Sequence, residues 1–235
     1  MALVTGASRG LGLAIAQALA AEGAKVVCMA RPGAELDRAV ATLRAGGADA
    51  ISAPADVTQA AAVNGAVADV VKMWGRLDVL VLNAGTWQGA ALADTTDEQW
   101  DLLVNLNLKG AFLPLRAAIP TMATAGSGTI VGIGSINSLV GSAGSAAYAA
   151  SKWGLRGLLE SAALELRPHG VRVSLVFPHN INSAGRAFAP DSVERRRNIE
   201  PADVAATVAF IAAAPAYMNI GSVNVWPAAA GIGLK

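Results

Sequence analysis

One cysteine in 235 residues, Cys28, has no partner within the chain, so no internal disulfide braces the fold. It lies in the apolar stretch 25–30 without acidic or metal-ligating neighbours. A small buried hydrophobe is its expected role, and no metal site is expected. Charge of one sign is also scarce: 18 Lys and Arg stand against 17 Asp and Glu. So balanced a field exerts no long-range pull on nucleic acid or an anionic bilayer. Long apolar runs are missing as well. Although 54% of residues are hydrophobic and 15% charged, none of the runs reaches the roughly 18 residues a membrane span requires. The apolar surplus is expected to form a buried core, and the partner to be a small molecule. The chain opens almost at once on Leu3-Val4-Thr5-Gly6, without the basic region, apolar segment and cleavage site of an export signal, which leaves the cytoplasm as the default expectation.

What the sequence does contain is alternation. Short runs rich in Val, Ile and Leu are separated by longer segments with helical spacing, the pattern of a parallel sheet covered by helices on both faces. The expected fold class is α/β, a Rossmann-like doubly wound sheet of about seven strands. It forms one domain over 1–235, since no composition shift divides the chain. Strands are expected near 2–5, 25–30, 49–54, 78–82, 128–133, 171–177 and 222–226. Helices are expected near 10–22, 34–45, 58–74, 97–123, 146–167 and 201–213. Pro114 lacks a backbone donor, so a kink or break is expected between Gly110 and Pro114.

Between the first strand and first helix stands Thr5-Gly6-Ala7-Ser8-Arg9-Gly10-Leu11-Gly12. Its glycines allow a tight turn and close backbone approach to a pyrophosphate, and the helix N-terminus adds free N–H groups with partial positive charge. At the end of the second strand, an NAD-preferring site offers an acidic side chain to the adenosine ribose. Here that place falls on Ala30, followed by Arg31. With Arg9, Arg31 is expected to meet a ribose 2′-phosphate, so NADP(H) is preferred over NAD(H). The open alternative is that Arg31 is a solvated loop cation before Pro32. Further on, Tyr148-Ala149-Ala150-Ser151-Lys152 places a phenol and an ammonium four residues apart on one helix face, where both can reach one ribose and one substrate.

The spacing TGxxxGxG together with YxxxK resembles the short-chain dehydrogenase/reductase family over essentially the whole chain. The resemblance implies roles for particular residues. Ser8 and Arg9 would face the adenosine-side phosphates, and Leu11 would give a backbone contact to the pyrophosphate. Asp56 and Val57 would hold the adenine. Asn83-Ala84-Gly85 resembles the family's NNAG turn, with Leu82 in place of its first Asn, and Asn83 mainly supports the sheet. Ser135, thirteen positions before Tyr148, matches the family's catalytic serine, and Asn107 its helix asparagine, with Asn105 an ordinary helical residue. Tyr148 would then be the acid/base. Lys152 would lower its pKa and bind the nicotinamide ribose, Ser135 would hydrogen-bond the substrate oxygen, and Asn107 would hold a water linking Lys152 to solvent.

The family's PG-x-[VI]-x-T segment reads Pro178-His179-Asn180-Ile181-Asn182-Ser183 here. Pro178, Ile181 and Ser183 are expected at the nicotinamide carboxamide. His179 either narrows the substrate site or adds a polar contact. Substrate is expected to meet Asn137, Trp87, Ser142, Ser145 and His179. The connection from Ala184 to Glu200 is short, implying a small or open site, and the run Arg195-Arg196-Arg197 reads as a solvated face. The resemblance also implies a homodimer or homotetramer. Two other functions stay open, a 3-oxoacyl-carrier-protein reductase and a non-catalytic NADP-sensing module.

Overall fold

Seven strands form where β-branched runs stand between turns: β1 (Ala2–Thr5), β2 (Val26–Ala30), β3 (Ala50–Pro54), β4 (Val79–Leu82), β5 (Gly128–Ile133), β6 (Val171–Pro178) and β7 (Ser222–Val225). All seven lie within one residue of the expected ends. The structure, a computed structural model, describes residues 1–182 and 192–228. Ser183 and 184–191 of the expected short connection lie outside the described residues. Helices α1 (Gly10–Ala21), α2 (Ala34–Ala45), α3 (Ala60–Trp74), α4 (Asp97–Val104), α5 (Gly110–Ala125), α6 (Ala146–Leu166), α7 (Val193–Arg196) and α8 (Pro201–Ala213) fill the connections.

The strands form one parallel sheet in the order β3-β2-β1-β4-β5-β6-β7. A fully parallel sheet needs cover on both faces, which explains strands that are apolar without alternation. One face packs α3, α5 and α6 around Leu3, Leu80, Ile130, Leu155 and Leu159. The other packs α1, α2 and α8 around Val4, Ile15, Leu36, Val131 and Val208. Strand order reverses between β1 and β4, and at such a switch point the loops leaving the carboxyl ends of the strands part to leave a crevice.

The expected fourth helix proves to be two, joined by a π turn over Asn105–Lys109. Pro114 sits inside α5 and cannot donate to the carbonyl four residues back, at Gly110. The irregularity falls one turn earlier than expected, as an extra residue wound into the helix, and the axis continues to Ala125. This run, Asp97–Ala125, is long and apolar enough to cross a membrane by length and composition. Its residues Leu103, Leu113, Leu115, Ala118 and Met122 are nevertheless buried within the protein, which is how a core helix reads.

Helix α6 comes unusually close to the sheet. A Cβ on Gly132 of β5 would collide with Leu159, and Leu159 has no exposed surface. Burial of such a leucine contributes about 1.5–3 kcal/mol. This contact fixes the height at which the first turns of α6 stand above the strand ends.

Candidate active site at the carboxyl ends of the strands

The turn after β1 has the form its glycines suggest. Gly6 and Gly10 hold φ of +66° and +55°, a region that side chains strain to adopt. A Cβ on Gly12 would collide with the Gly6 carbonyl and with Asn83 Nδ2, so α1 can lie against the turn only with glycine there. Arg9 is the N-cap of α1, yet no side chain caps the helix and no acidic residue occupies its first turn. The unsatisfied N–H groups and positive dipole end therefore remain available to an anion. Open space next to Gly10, where a Cβ would meet nothing within 4 Å, completes a cradle that fits a dinucleotide pyrophosphate. Ser8 and Leu11 are half-buried beside it and Arg9 is exposed.

Asn83 braces this turn. Its Nδ2 donates to Thr5 O at 2.9 Å, and the Thr5 hydroxyl accepts from the backbone N–H groups of Asn83 and Ala84 at 2.9 and 3.1 Å. The support expected of Asn83 thus has a partner, Thr5, that its sequence position did not reveal. Ala30 ends β2, and Arg31 after it is exposed. Asp56 Oδ1 accepts from the Thr58 backbone N–H at 2.9 Å and its hydroxyl at 2.7 Å, bonds that hold its carboxyl below the usual range. Val57 is buried against Gly110, at the end of the π turn.

On α6, Tyr148 and Lys152 share a face, with Lys152 Nζ 5.8 Å from the phenol ring centroid. Lys152 donates to Ile133 O at 2.9 Å, tying the helix to the end of β5. Burial brings its pKa down to about 8. Burial also raises the Tyr148 pKa, while the neighbouring Ser135 hydroxyl pulls the other way. At Tyr148 desolvation is the larger influence, and the Lys152 ammonium is directed at the Ile133 carbonyl. Ser135 N-caps a single 3-10 turn (Ile136–Ser138), and its Oγ accepts from the Asn137 N–H at 3.2 Å. That bond leaves the hydroxyl proton free to point elsewhere.

Asn107 is 1% exposed in the π turn. Its Oδ1 accepts from the Thr86 N–H at 2.8 Å, and its Nδ2 donates to Thr86 O and to Ser151 Oγ, both at 3.0 Å. Both amide protons are thus committed within the protein. Asn107 pins the loop after β4 to α6. A Cβ on Gly85 would sit 2.9 Å from Asn107 Oδ1, so the loop closes tightly here. Ser151, fully buried, accepts this bond and donates its hydroxyl to the backbone carbonyl of Tyr148 at 2.7 Å. It was not singled out from the sequence, although it lies inside the YxxxK segment. Asn105, by contrast, is exposed at the start of the π turn.

The expected substrate residues divide. Asn137 Nδ2 donates to Ser142 Oγ at 2.8 Å, so these two bind each other. Ser145 is the buried N-cap of α6, and Ala90 N–H donates to Gly144 O at 3.0 Å, joining the two loops above the strand ends. Trp87 is 55% exposed and lies over Gly89. At the far side, Pro178 pairs with Val225 and Ile181 bridges to Ile199. Carrying the register on one residue sets His179 beside Trp226, and their rings meet edge-on at 6.4 Å. Among the described residues His179 Nδ1 and Trp226 Nε1 are buried without hydrogen-bond partners, and burial lowers the His179 pKa, which favours the neutral ring at neutral pH. In the arginine run, Arg195 pairs with Glu200 at 2.8 Å, and Arg196 and Arg197 are exposed.

A doubly wound parallel sheet with a glycine-lined anion cradle at its switch point defines a dinucleotide-binding protein. The chain belongs to the short chain dehydrogenase family, which it matches over residues 1–192. It is 36% identical over 221 residues to a trans-4-hydroxycyclohexanecarboxylate dehydrogenase of Sinomonas cyclohexanicum, covering 90% of this chain and 85% of the relative. It is 38% identical over 220 residues to a 3-oxoacyl-[acyl-carrier-protein] reductase of Staphylococcus aureus, covering 90% and 89%. The crystal structure of a metagenomic short-chain oxidoreductase in complex with NADP superposes with a TM-score of 0.84 at 42% identity, covering 96% of each chain. The chain is accordingly an oxidoreductase of the kind that acts on alcohol or carbonyl groups.

Proposed function

We propose that this chain is an NADP(H)-dependent oxidoreductase that interconverts a carbonyl and a secondary alcohol, with Tyr148 as its acid/base. The observation that carries the reading is the convergence of Ser135, Tyr148 and Lys152 at the end of β5, held in place by Asn107 through Ser151. The nicotinamide, when bound, supplies or removes hydride at the substrate carbon.

The remaining work falls to the protein. Gly6, Gly10, Leu11 and Gly12 would hold the pyrophosphate, Ser8 and Arg9 would face the adenosine-side phosphates, and Asp56 and Val57 would hold the adenine, while Ala84 and Gly85 let the backbone pass close to the dinucleotide. Lys152 would hold the nicotinamide ribose, with Pro178, Ile181 and Ser183 at the carboxamide. In reduction, the Tyr148 hydroxyl gives its proton to the substrate oxygen, and the free Ser135 hydroxyl proton bonds the same oxygen. His179 is neutral at neutral pH and so does not compete as the acid; it forms the site wall with Trp226. NADP(H) is favoured over NAD(H) because Ala30 offers no acceptor to a free ribose hydroxyl, while Arg9 and Arg31 are exposed and cationic beside it.

A 3-oxoacyl-carrier-protein substrate is a second reading, favoured by the Staphylococcus relative. A nucleotide sensor would have no use for the serine and tyrosine at the site. Exposed Phe112 on α5 and Trp153 and Leu164 on α6 support a homodimer or homotetramer. The test mixes the protein with NADPH and a panel of ketones and β-ketoacyl thioesters, following absorbance of the reduced nicotinamide. Tyr148→Phe should abolish turnover with NADPH affinity unchanged. Near-native reduction by that variant would move the proton donor elsewhere.

A further inference from the structure

Four charged side chains gather at the carboxyl ends of β1, β2 and β3. Arg9 N-caps α1, Arg31 follows β2, Glu35 lies in the first turn of α2 and Asp56 follows β3. Arg9 Nη1 is 3.5 Å from Glu35 Oε1, while Asp56 is governed by its bonds from Thr58, with Arg31 a weaker through-space influence. The two acids are not equivalent. Asp56 is held by two hydrogen bonds from Thr58 whatever Arg31 does. The Glu35 carboxylate pairs with Arg9, the two side chains being 53% and 73% exposed. Glu35 does not cap its own helix, whose N-cap is Gly33 without a side-chain bond.

We propose that Glu35 is a specificity-determining residue, which limits how strongly this chain prefers a 2′-phosphorylated adenosine dinucleotide to the unphosphorylated one. The inference rests on the reading above that Arg9 and Arg31 meet the adenosine ribose. A 2′-phosphate brings about two negative charges at neutral pH. Glu35 opposes them directly by like-charge repulsion, and indirectly by competing for the Arg9 guanidinium. A free 2′-hydroxyl carries no charge and meets neither opposition. The carboxylate therefore weakens one nucleotide and leaves the other alone.

Titrating wild type and Glu35→Gln with NADPH and with NADH, followed by nicotinamide fluorescence at low ionic strength, reads this without turnover. The variant should bind NADPH about three- to five-fold more tightly, the scale of an exposed charge contact, with NADH affinity and thermal midpoint unchanged. The gain should vanish near 1 M salt, where the screening length is about 3 Å. Unchanged NADPH affinity overturns the inference, and so does an equal gain for both nucleotides, which would set Glu35 against the shared pyrophosphate. A wild type that binds neither nucleotide overturns the proposed function itself. A wild type that binds both equally refutes only the NADP(H) preference, and the inference stands if Glu35→Gln shifts NADPH alone.

Discussion

Replacing Lys152 by Met probes an ammonium that is 5% exposed and donates to the Ile133 carbonyl at 2.9 Å. Burial lowers its pKa from 10.5 to about 8. In the unfolded chain the amine keeps its ordinary value. Between those two values the unfolded state binds more protons than the folded one, so stability rises with pH there. Below about pH 8 both states are protonated and the full penalty is present, about 3 kcal/mol at 1.36 kcal/mol per pH unit. Methionine brings no charge and carries no such penalty at any pH. The variant also loses the bond to Ile133, but that loss is constant wherever the lysine is charged. The stability of wild type relative to Lys152→Met should therefore rise by about 2 kcal/mol between about pH 7 and 9.5. Urea unfolding of both proteins across that range measures it. The Cys28 thiol, pushed up to about 11 by burial, titrates in both and cancels. A difference that stays flat with pH would refute the buried, charged Lys152.

Gly12→Ala should destabilise the protein by about 1–3 kcal/mol, because the new methyl meets the Gly6 carbonyl and Asn83. NADPH binding, read by fluorescence, should weaken with it, and an unaltered affinity would detach the turn from the nucleotide. Sedimentation at micromolar concentration should show a dimer or tetramer, since Phe112, Trp153 and Leu164 expose apolar surface on neighbouring helices. A monomer would leave those side chains without a function.

The strands were legible because a parallel sheet buried on both faces writes itself as continuous apolar runs such as Val26–Ala30 and Val79–Leu82. Helix ends were legible where a chemical stop marks them, such as left-handed Gly75 after α3 or Gly126 after α5. The π turn was not. Pro114 announces that a hydrogen bond is missing, but an extra residue can be wound in anywhere upstream where packing accepts it. It settled at Asn105–Lys109 because Gly110 fits against Val57 and Asn107 finds partners on two other elements. Those partners are 21 and 44 residues away in sequence.

The same distance separates what motifs reveal at the site from what they conceal. Tyr148, Lys152 and Ser135 could be named because their chemistry is written in residue type and spacing. Their protonation could not be, since it depends on which neighbours fold over them. Spacing brings a cation near a phenol, while the bond from that cation to Ile133 O and the burial that raises the Tyr148 pKa are set by packing. Asn107 is a similar case, because a motif gives the residue and not the direction of its amide. Once Thr86 and Ser151 take both amide protons, Asn107 becomes the joint between the loop after β4 and the helix bearing Tyr148. Loss of that joint would displace the phenol. An Asn107 variant is thus expected to lose turnover through misplacement of Tyr148, a geometric role in which Ser151 takes an equal part.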